Sequence, residues 1–400
     1  VSKFSDRVEE LLQPAERRAL PVAVSASRSD ATHEPNGWTA GVVVDGSRGT
    51  LTTKPSDGPV QNWDDELRAW GFDPALYEVV EPVRMSTWQT YDERQLWAYK
   101  AQIRTRLSGL AASEIEAMTE PVKRDRRKAR PRPTGSSAFV VPIGDWQVGK
   151  PDGDGLDGTV ARIEASIVAV VERAEFLRDS GYELGHLVVT SAGDLGEGCD
   201  GHYAQQTFGV EVDRRDQNKI IRRMARNALM EWSPLFDRVT VAAVGGNHGE
   251  NRRGGKSFTS TNDNDDVAVW EAVAETLAVR DDLYGHVEWL LPRDELSVSF
   301  AVGDRIVGLA HGHQARSGDI GKWWQGQALG NRAVADADLL ITGHFHHFRM
   351  IEVTDNRWWL QVPAQDGGSD WFSEMSGNSN STGQVTFVLD ESGWRELAIL

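Results

Sequence analysis

The stretch Leu339-Leu340-Ile341-Thr342-Gly343-His344-Phe345-His346 is a short apolar run, then a glycine, then two histidines two residues apart. Such a run stopped by a turn signal predicts a buried strand, so the histidines fall where that strand ends. Four more runs share the design. Residues 139–143 lead into Gly144-Asp145-Trp146-Gln147, and residues 187–190 into Gly193-Asp194. Residues 239–244 lead into Gly246-Asn247-His248, and residues 306–310 into His311-Gly312-His313. Strands that end together place their last residues around one crevice, where side chains distant in sequence meet. A lone Gly-Asp is an ordinary turn and a lone histidine an ordinary core residue. The ordered set is different, because five of the ten histidines fall in the last three motifs and a sixth, His347, directly follows them, which surface scatter would not produce.

The segments between these runs supply the helices. Val160, Ile163, Ile167, Val171, Ala174 and Leu177 recur at helical spacing between the first two strands. Ile220, Ile221, Met224, Ala228 and Leu229 do the same before the third. Beyond His347 the pattern turns extended, at 358–362, 384–389 and 394–400, which predicts an antiparallel closing sheet. The expected fold class is α/β, with two facing mixed β-sheets flanked by helices and a small, separate N-terminal α+β segment.

The basic, proline-bearing stretch Lys123-Arg124-Asp125-Arg126-Arg127-Lys128-Ala129-Arg130-Pro131-Arg132-Pro133 resists packing and reads as a linker. It predicts an N-terminal domain over 1–122, a linker over 123–137 and a catalytic domain over 138–400. Within the first, Trp63 to Phe72 predicts a helix ended by Gly71. Trp88, Tyr91, Trp97 and Tyr99 suggest a small aromatic core running into a helix over 98–110. Residues 25–59, rich in Gly, Ser, Thr and Asp, read as turns or short strands.

Four hundred residues exceed one small core, in line with two domains. With 40% apolar and 26% charged residues, the composition is that of a soluble globular protein. No apolar run approaches the roughly 18 residues that span a bilayer, so no membrane partner is expected. The start, Val1-Ser2-Lys3-Phe4-Ser5-Asp6-Arg7, lacks the apolar core of a secretory signal. A single cysteine, Cys199, excludes an intramolecular disulfide and suits a reducing cytoplasm. The net charge of -17 argues against a protein coated by nucleic acid, but not against one that grips it locally.

Two divalent cations about 3.5–4 Å apart need a bridging carboxylate and several neutral or anionic ligands. Asp194 is the natural bridge. Asp145 and Gln147 would reach one ion, Asn247 and His311 the other, and His344 and His346 can divide between them.

These motifs resemble those of the calcineurin-like metallophosphoesterase family, whose pattern is Asp-x-His, Gly-Asp, Gly-Asn-His, a lone His and Gly-His-x-His. The resemblance runs from Asp145 to His346, about half the chain. Within that family, Asp145-Trp146-Gln147-Val148-Gly149-Lys150 is most similar to the start of the SbcD-type double-strand-break repair nucleases, which carry Asp-Trp-His-Leu-Gly. Gln147 departs from the pattern, standing where the family has histidine. Its carbonyl oxygen is a harder ligand than imidazole, which favours Mn2+ or Mg2+ over Zn2+ or Fe2+, unless a water takes its place.

The resemblance implies hydrolysis of a phosphoester by a metal-bridging hydroxide attacking phosphorus in line. It also implies that His248, which follows ligand Asn247, protonates the leaving oxygen or binds a phosphate oxygen. His313 and His347 are candidates to orient metal-bound imidazoles. Arg252, Arg253 and Lys256, just beyond His248, could hold the phosphates flanking the scissile one. Lys322-Trp323-Trp324 and Asp370-Trp371-Phe372 could stack bases, or form core. The expected function is a DNA nuclease, with DNA as partner and an associated ATPase by family analogy. The alternatives are a phosphodiesterase or phosphatase of nucleotides or another small phosphoester, and a scaffold without catalysis.

Overall fold

The computed structural model describes residues 5–12, 39–45, 48–74, 77–90, 92–105, 107–127, 134–202, 206–253, 255–315, 319–368 and 381–400. The chain divides into two compact units, one of residues 13–117 and one of 1–12 with 118–400. After helix α1 (Asp6–Leu12), the smaller unit carries strands β1 (Gly41–Asp45) and β2 (Arg48–Thr52), helix α2 (Trp63–Ala69), β3 (Tyr77–Gln89) and β4 (Gln95–Thr105). Its sheet, in the order β1-β2-β4-β3, is antiparallel at every pairing. Leu51, Leu67, Phe72, Tyr77 and Ile103 form its core, with Trp63 and Trp70 packed against them. Gly71, at φ +82, follows α2 as expected. The helix expected over 98–110 is instead mostly strand. Ala101 and Ile103 are buried while Gln102 and Arg104 face out, a period of two that pairing with β2 and β3 enforces. Helix α3 (Leu107–Lys123) begins only after it.

The boundary expected at 122 also moves. Val8 and Leu11 of α1 belong to the core of the larger unit, and Arg223 donates to the carbonyl of Leu11. The segment after α3 is no free tether there. Asp125 accepts from the hydroxyl of Tyr284 at 2.7 Å, and Arg280 donates to the Asp125 carbonyl at 2.8 Å. Residues 128–133 of the expected linker lie outside the described residues, as do Tyr91, Trp371 and Phe372.

The larger unit runs β5 (Ser137–Ile143), α4 (Gly155–Asp179), β6 (Leu184–Ser191), α5 (Gln206–Gly209), α6 (Arg214–Trp232) and β7 (Arg238–Ala243). A hairpin of β8 (Arg252–Arg253) and β9 (Lys256–Ser257) follows, then α7 (Asp265–Leu277), α8 (Asp281–Tyr284), β10 (Val287–Leu290), β11 (Ser297–Val302) and β12 (Arg305–Ala310). The last elements are α9 (Ile320–Leu329), β13 (Leu339–Thr342), β14 (Arg349–Thr354), β15 (Arg357–Gln361), β16 (Val385–Asp390) and β17 (Gly393–Ile399).

Among the described residues these strands form a six-stranded sheet, β10-β7-β6-β5-β16-β17, and a five-stranded sheet, β11-β12-β13-β15-β14. Both mix parallel and antiparallel pairs. Alternate residues of the first sheet serve two cores. Phe139, Val141, Leu187 and Val189 pack under α4, α6 and α7. Val140, Val188 and Ala242 pack against Leu309, Ile341 and Leu360 of the second sheet. The outer face of that sheet, at Leu340 and Trp359, is covered by Ile320 and Trp324 of α9. The order is helix, sheet, sheet, helix. Burial on both faces is why the strands read as unbroken apolar runs. The three late extended segments do not make one closing sheet. β15 joins the second sheet beside β13, while β16 and β17 close the edge of the first. None of the described helices is long and apolar enough to cross a membrane.

Candidate metal centre

Neighbouring β5, β6 and β7 run parallel, as do β12 and β13, so the five motifs leave the C-terminal ends of strands in both sheets. The turns that follow are unusual. Asp145, Gln147, Asp194, His344 and His346 all adopt positive φ, between 49° and 75°, and make up five of the nine such non-glycine residues among those described. Side chains other than glycine resist this region, and where it persists the surroundings impose it, most often at functional sites. Two glycines make room. A Cβ on Gly246 would lie 2.1 Å from Asp194 Oδ1, and one on Gly343 would lie 2.5 Å from Asp145 Oδ2. The backbone passes too close to each carboxylate for any side chain.

The side chains meet. Ligand atoms of Asp194, His311 and His344 all lie within 4.8 Å of one another. His346 Nε2 is 3.6 Å from Asp145 Oδ1 and 3.3 Å from Gln147 Nε2. Asn247 Oδ1 is 3.0 Å from His311 Nε2. Thus all seven expected ligands gather, Asp145, Gln147 and His346 to one side, Asp194, Asn247, His311 and His344 to the other.

Their chemistry fits divalent cations. His311 Nδ1 donates to the Ala192 carbonyl at 2.7 Å, which turns Nε2 toward Asn247 Oδ1 and toward Asp194 Oδ2, each 3.0 Å away. A ring nitrogen and two oxygens facing one another need a positive centre, a proton or a metal ion. Without metal the proton serves: burial opposes charge on His311, but Asp194 outweighs it and holds the ring up to about 9. Burial alone would raise Asp194, yet His311 holds it well below the usual carboxylate range. Asp194 Oδ2 lies off the hydrogen-bonding direction, and it and Gln147 Oε1 are buried without a hydrogen-bond partner. Unpaired buried acceptors cost about 1–3 kcal/mol each, an arrangement that bound cations would relieve. Burial, then charged His311, push His344 down to about 3, the neutral form that ligates metal.

Residues that the motifs did not mark support the centre. Asp266, 2% exposed at the start of α7, accepts from the backbone N–H of Asp194 (2.9 Å), Gly246 (2.8 Å) and Leu195 (2.9 Å). It ties the turns after β6 and β7 together. Asp366, also 2% exposed, lies 3.5 Å from His346 Nδ1 and pairs with buried Lys150 at 2.5 Å. His202 stacks on His248 with ring centroids 3.9 Å apart and planes within 2°. Its Nδ1 lies 3.3 Å from Asn247 Nδ2, an arrangement that aims Asn247 Oδ1 inward.

His248 donates through its backbone N–H to Asp194 Oδ1 (2.7 Å) and through Nδ1 to the Glu197 carbonyl (2.6 Å), which leaves Nε2 for chemistry. His313 stands beside the ligands, its ring 5.3 Å from that of His311 and 6.2 Å from that of His344. His347 turns into its own loop, donating to the Phe345 carbonyl at 2.6 Å. Arg253 and Lys256 are exposed, whereas Arg252 is half-buried beside Glu250. Trp324 is core, 2% exposed, and donates to the Val334 carbonyl, so base stacking is not its role.

No protein-family model and no curated protein matches the sequence. The fold is similar to that of solved structures. Vps29 from Cryptosporidium parvum is similar at 13% identity over 66% of this chain and 97% of its own, with a TM-score of 0.29. Vps29 from Chaetomium thermophilum is similar at 12% identity over 66% of this chain and 94% of its own, with a TM-score of 0.28. A predicted phosphoesterase from Streptococcus pneumoniae TIGR4 is similar at 10% identity over 64% and 84%, with a TM-score of 0.26.

Proposed function

We propose that this chain is a metal-dependent phosphoester hydrolase of the calcineurin-like kind, and that its substrate is the phosphodiester backbone of DNA. The observation that carries hydrolysis is the convergence of Asp194, His311 and His344 within 4.8 Å, beside buried acceptors that lack partners. A scaffold has no use for five strained residues in three turns around such a cluster.

Two divalent ions, when bound, supply a water acidified toward neutrality and positive charge for the phosphoryl oxygens. Asp145, Gln147, Asp194 and His346 would hold one, and Asp194, Asn247, His311 and His344 the other. The oxygen of Gln147 suits Mn2+ or Mg2+ better than softer ions. His248, fixed by two hydrogen bonds to the loop after β6, presents Nε2 as the group that hands a proton to the leaving oxygen. Asp366 orients His346, and Asp266 fixes the backbone under Asp194.

For DNA speak the Asp145-Trp146-Gln147-Val148-Gly149 start and the cationic residues that follow His248. A small phosphoester is the second reading, favoured by the net charge of -17. Such an enzyme suits a reducing cytoplasm, where a chain with one cysteine needs no disulfide.

The test is manganese-dependent cleavage of labelled linear single- and double-stranded DNA, beside bis-p-nitrophenyl phosphate, with Asp194→Ala as control. DNA cleavage that disappears in the control supports the nuclease. Hydrolysis of the small ester alone moves the substrate to a small phosphoester. Silence on both, with no manganese bound, overturns the proposal.

A further inference from the structure

We infer that the β8–β9 hairpin is a rest for single-stranded nucleic acid, on which Arg253 and Lys256 hold backbone phosphates and Phe258 stacks an unpaired base. This rests on the reading of the metal centre as a nuclease site, since the hairpin would guide the strand that carries the scissile phosphate.

The register sets the face. Arg253 pairs with Lys256 across the hairpin, and Arg252 with Ser257. The ladder continues one step, with the Phe258 N–H donating to the Asn251 carbonyl at 3.2 Å. Strand side chains alternate, so Arg253, Lys256 and Phe258 share one face and Arg252 takes the other. All three are exposed, Phe258 at 64%. Like charges directly opposite destabilise a hairpin. Among the described residues neither Arg253 nor Lys256 has an ion-pair partner, although this chain carries 60 acidic residues. Folding gains nothing from this pair of cations, and a phenylalanine left mostly exposed beside them gains little burial. A polyanion with unstacked aromatic bases satisfies both features. A duplex, its bases stacked away, would satisfy only the charges.

The hairpin is held in place and lies beside the metal centre. Arg214 donates to Asn251 Oδ1 (2.7 Å) and to the Gly249 carbonyl (3.2 Å), and Asn251 donates to Asp263 (2.6 Å). Arg252, on the opposite face, donates to the Gly255 carbonyl at 2.9 Å. A Cβ on Gly201 would lie 2.7 Å from the Arg252 Cβ, and the next residue, His202, stacks on His248. The hairpin base therefore abuts the imidazole pair at the centre.

The probe is a fluorescein-labelled 20-nucleotide oligo(dT), its binding to the intact chain followed by fluorescence anisotropy in EDTA across a salt series. Phe258→Ser should weaken binding about tenfold with little change in salt dependence. Arg253→Ser with Lys256→Ser should lower the slope of log K against log salt by about 1.4, the share of two single-strand phosphates. Arg253→Glu separates function from folding. It puts opposite charges across the hairpin, so the melting temperature should hold or rise while oligo(dT) affinity falls. Unchanged affinity and slope in these variants overturn the inference, as does a wild-type chain that ignores oligo(dT) or binds poly-glutamate equally well. Hydrolysis of bis-p-nitrophenyl phosphate by the wild-type chain, which needs no flanking nucleotides, reads the metal centre separately. Ester hydrolysis without strand binding sinks the hairpin alone, and strand binding by a chain that cleaves neither DNA nor the ester and binds no manganese sinks the catalytic reading alone.

Discussion

Replacing Asp266 separates the hydrogen bonds that hold Asp194 from the charge that makes them. The carboxylate accepts three backbone N–H groups, from Asp194, Gly246 and Leu195, at 2.8–2.9 Å. Bonds to a charged group contribute about 1.5–3 kcal/mol each. Against them stands desolvation. Burial first, then Asp194, still hold the carboxyl up at about 6 from 3.8 with those bonds counted, so keeping it ionised at neutral pH costs a net of about 3 kcal/mol. Asp266→Ala recovers that cost but leaves three buried donors unpaired, at about 1–3 kcal/mol each, for a net loss of about 3 kcal/mol. Asp266→Asn recovers the same cost and, with its oxygen at the Oδ2 position, keeps the bonds to Asp194 and Gly246. Only the Leu195 N–H then meets an amide –NH2, and stability should stay within about 1 kcal/mol of wild type. Urea denaturation of the metal-free protein at pH 7 measures both variants. Manganese affinity by calorimetry should fall about 10–100-fold in the alanine variant as Asp194 loosens. An alanine variant as stable as wild type, or an asparagine variant as damaged as the alanine one, would refute the reasoning.

His248→Ala should keep manganese stoichiometry by calorimetry yet lose about 10²–10⁴-fold in turnover of the tested ester; full activity would end the proton-donor role. Gly246→Ala places a Cβ 2.1 Å from Asp194 Oδ1, so manganese binding should collapse, whereas Gly58→Ala, with nothing within 4 Å, should bind normally. His186, hydrogen-bonded to Thr240 at 2.9 Å, is pushed down to about 4 by burial and then Arg238. The unfolded chain therefore takes up its proton first: stability is full above about 6.5 and loses about 3 kcal/mol as pH falls to 4. His186→Gln should flatten that limb of the urea midpoint against pH, and an unchanged limb would assign it to other groups.

The strands were legible because burial on both faces leaves apolar runs that stop at glycine, and the ligands because each motif follows such a stop. What supports the ligands was not legible. Asp266 looks like any acidic residue at a helix start, and only the fold brings its carboxylate under the turns of two strands. His202 has no strand before it, so nothing in its neighbourhood announces that its ring will stack on His248. Asp366 and Lys150 are 216 residues apart. The strand over 95–105 was misread because aromatic spacing there fits a helix as readily as a sheet, and pairing with β2 and β3 decided it. α1 was assigned to the wrong unit because a seven-residue helix does not reveal which core receives it.

The placement of α1 makes the smaller unit an insertion rather than a leading domain. The chain departs at Leu11, whose carbonyl is held by Arg223, and returns at Met118, whose carbonyl is held by Arg226. Those arginines stand three residues apart on α6, about one turn, so exit and re-entry share a single doorway. Cutting the chain at residue 123 would strip Val8 and Leu11 from the core they fill. Excising 13–117 and bridging the doorway would leave the core whole. The inserted unit is thus tied to the unit that holds the metal centre by two crossings of the chain, and either can vary in evolution without the other's core being rebuilt.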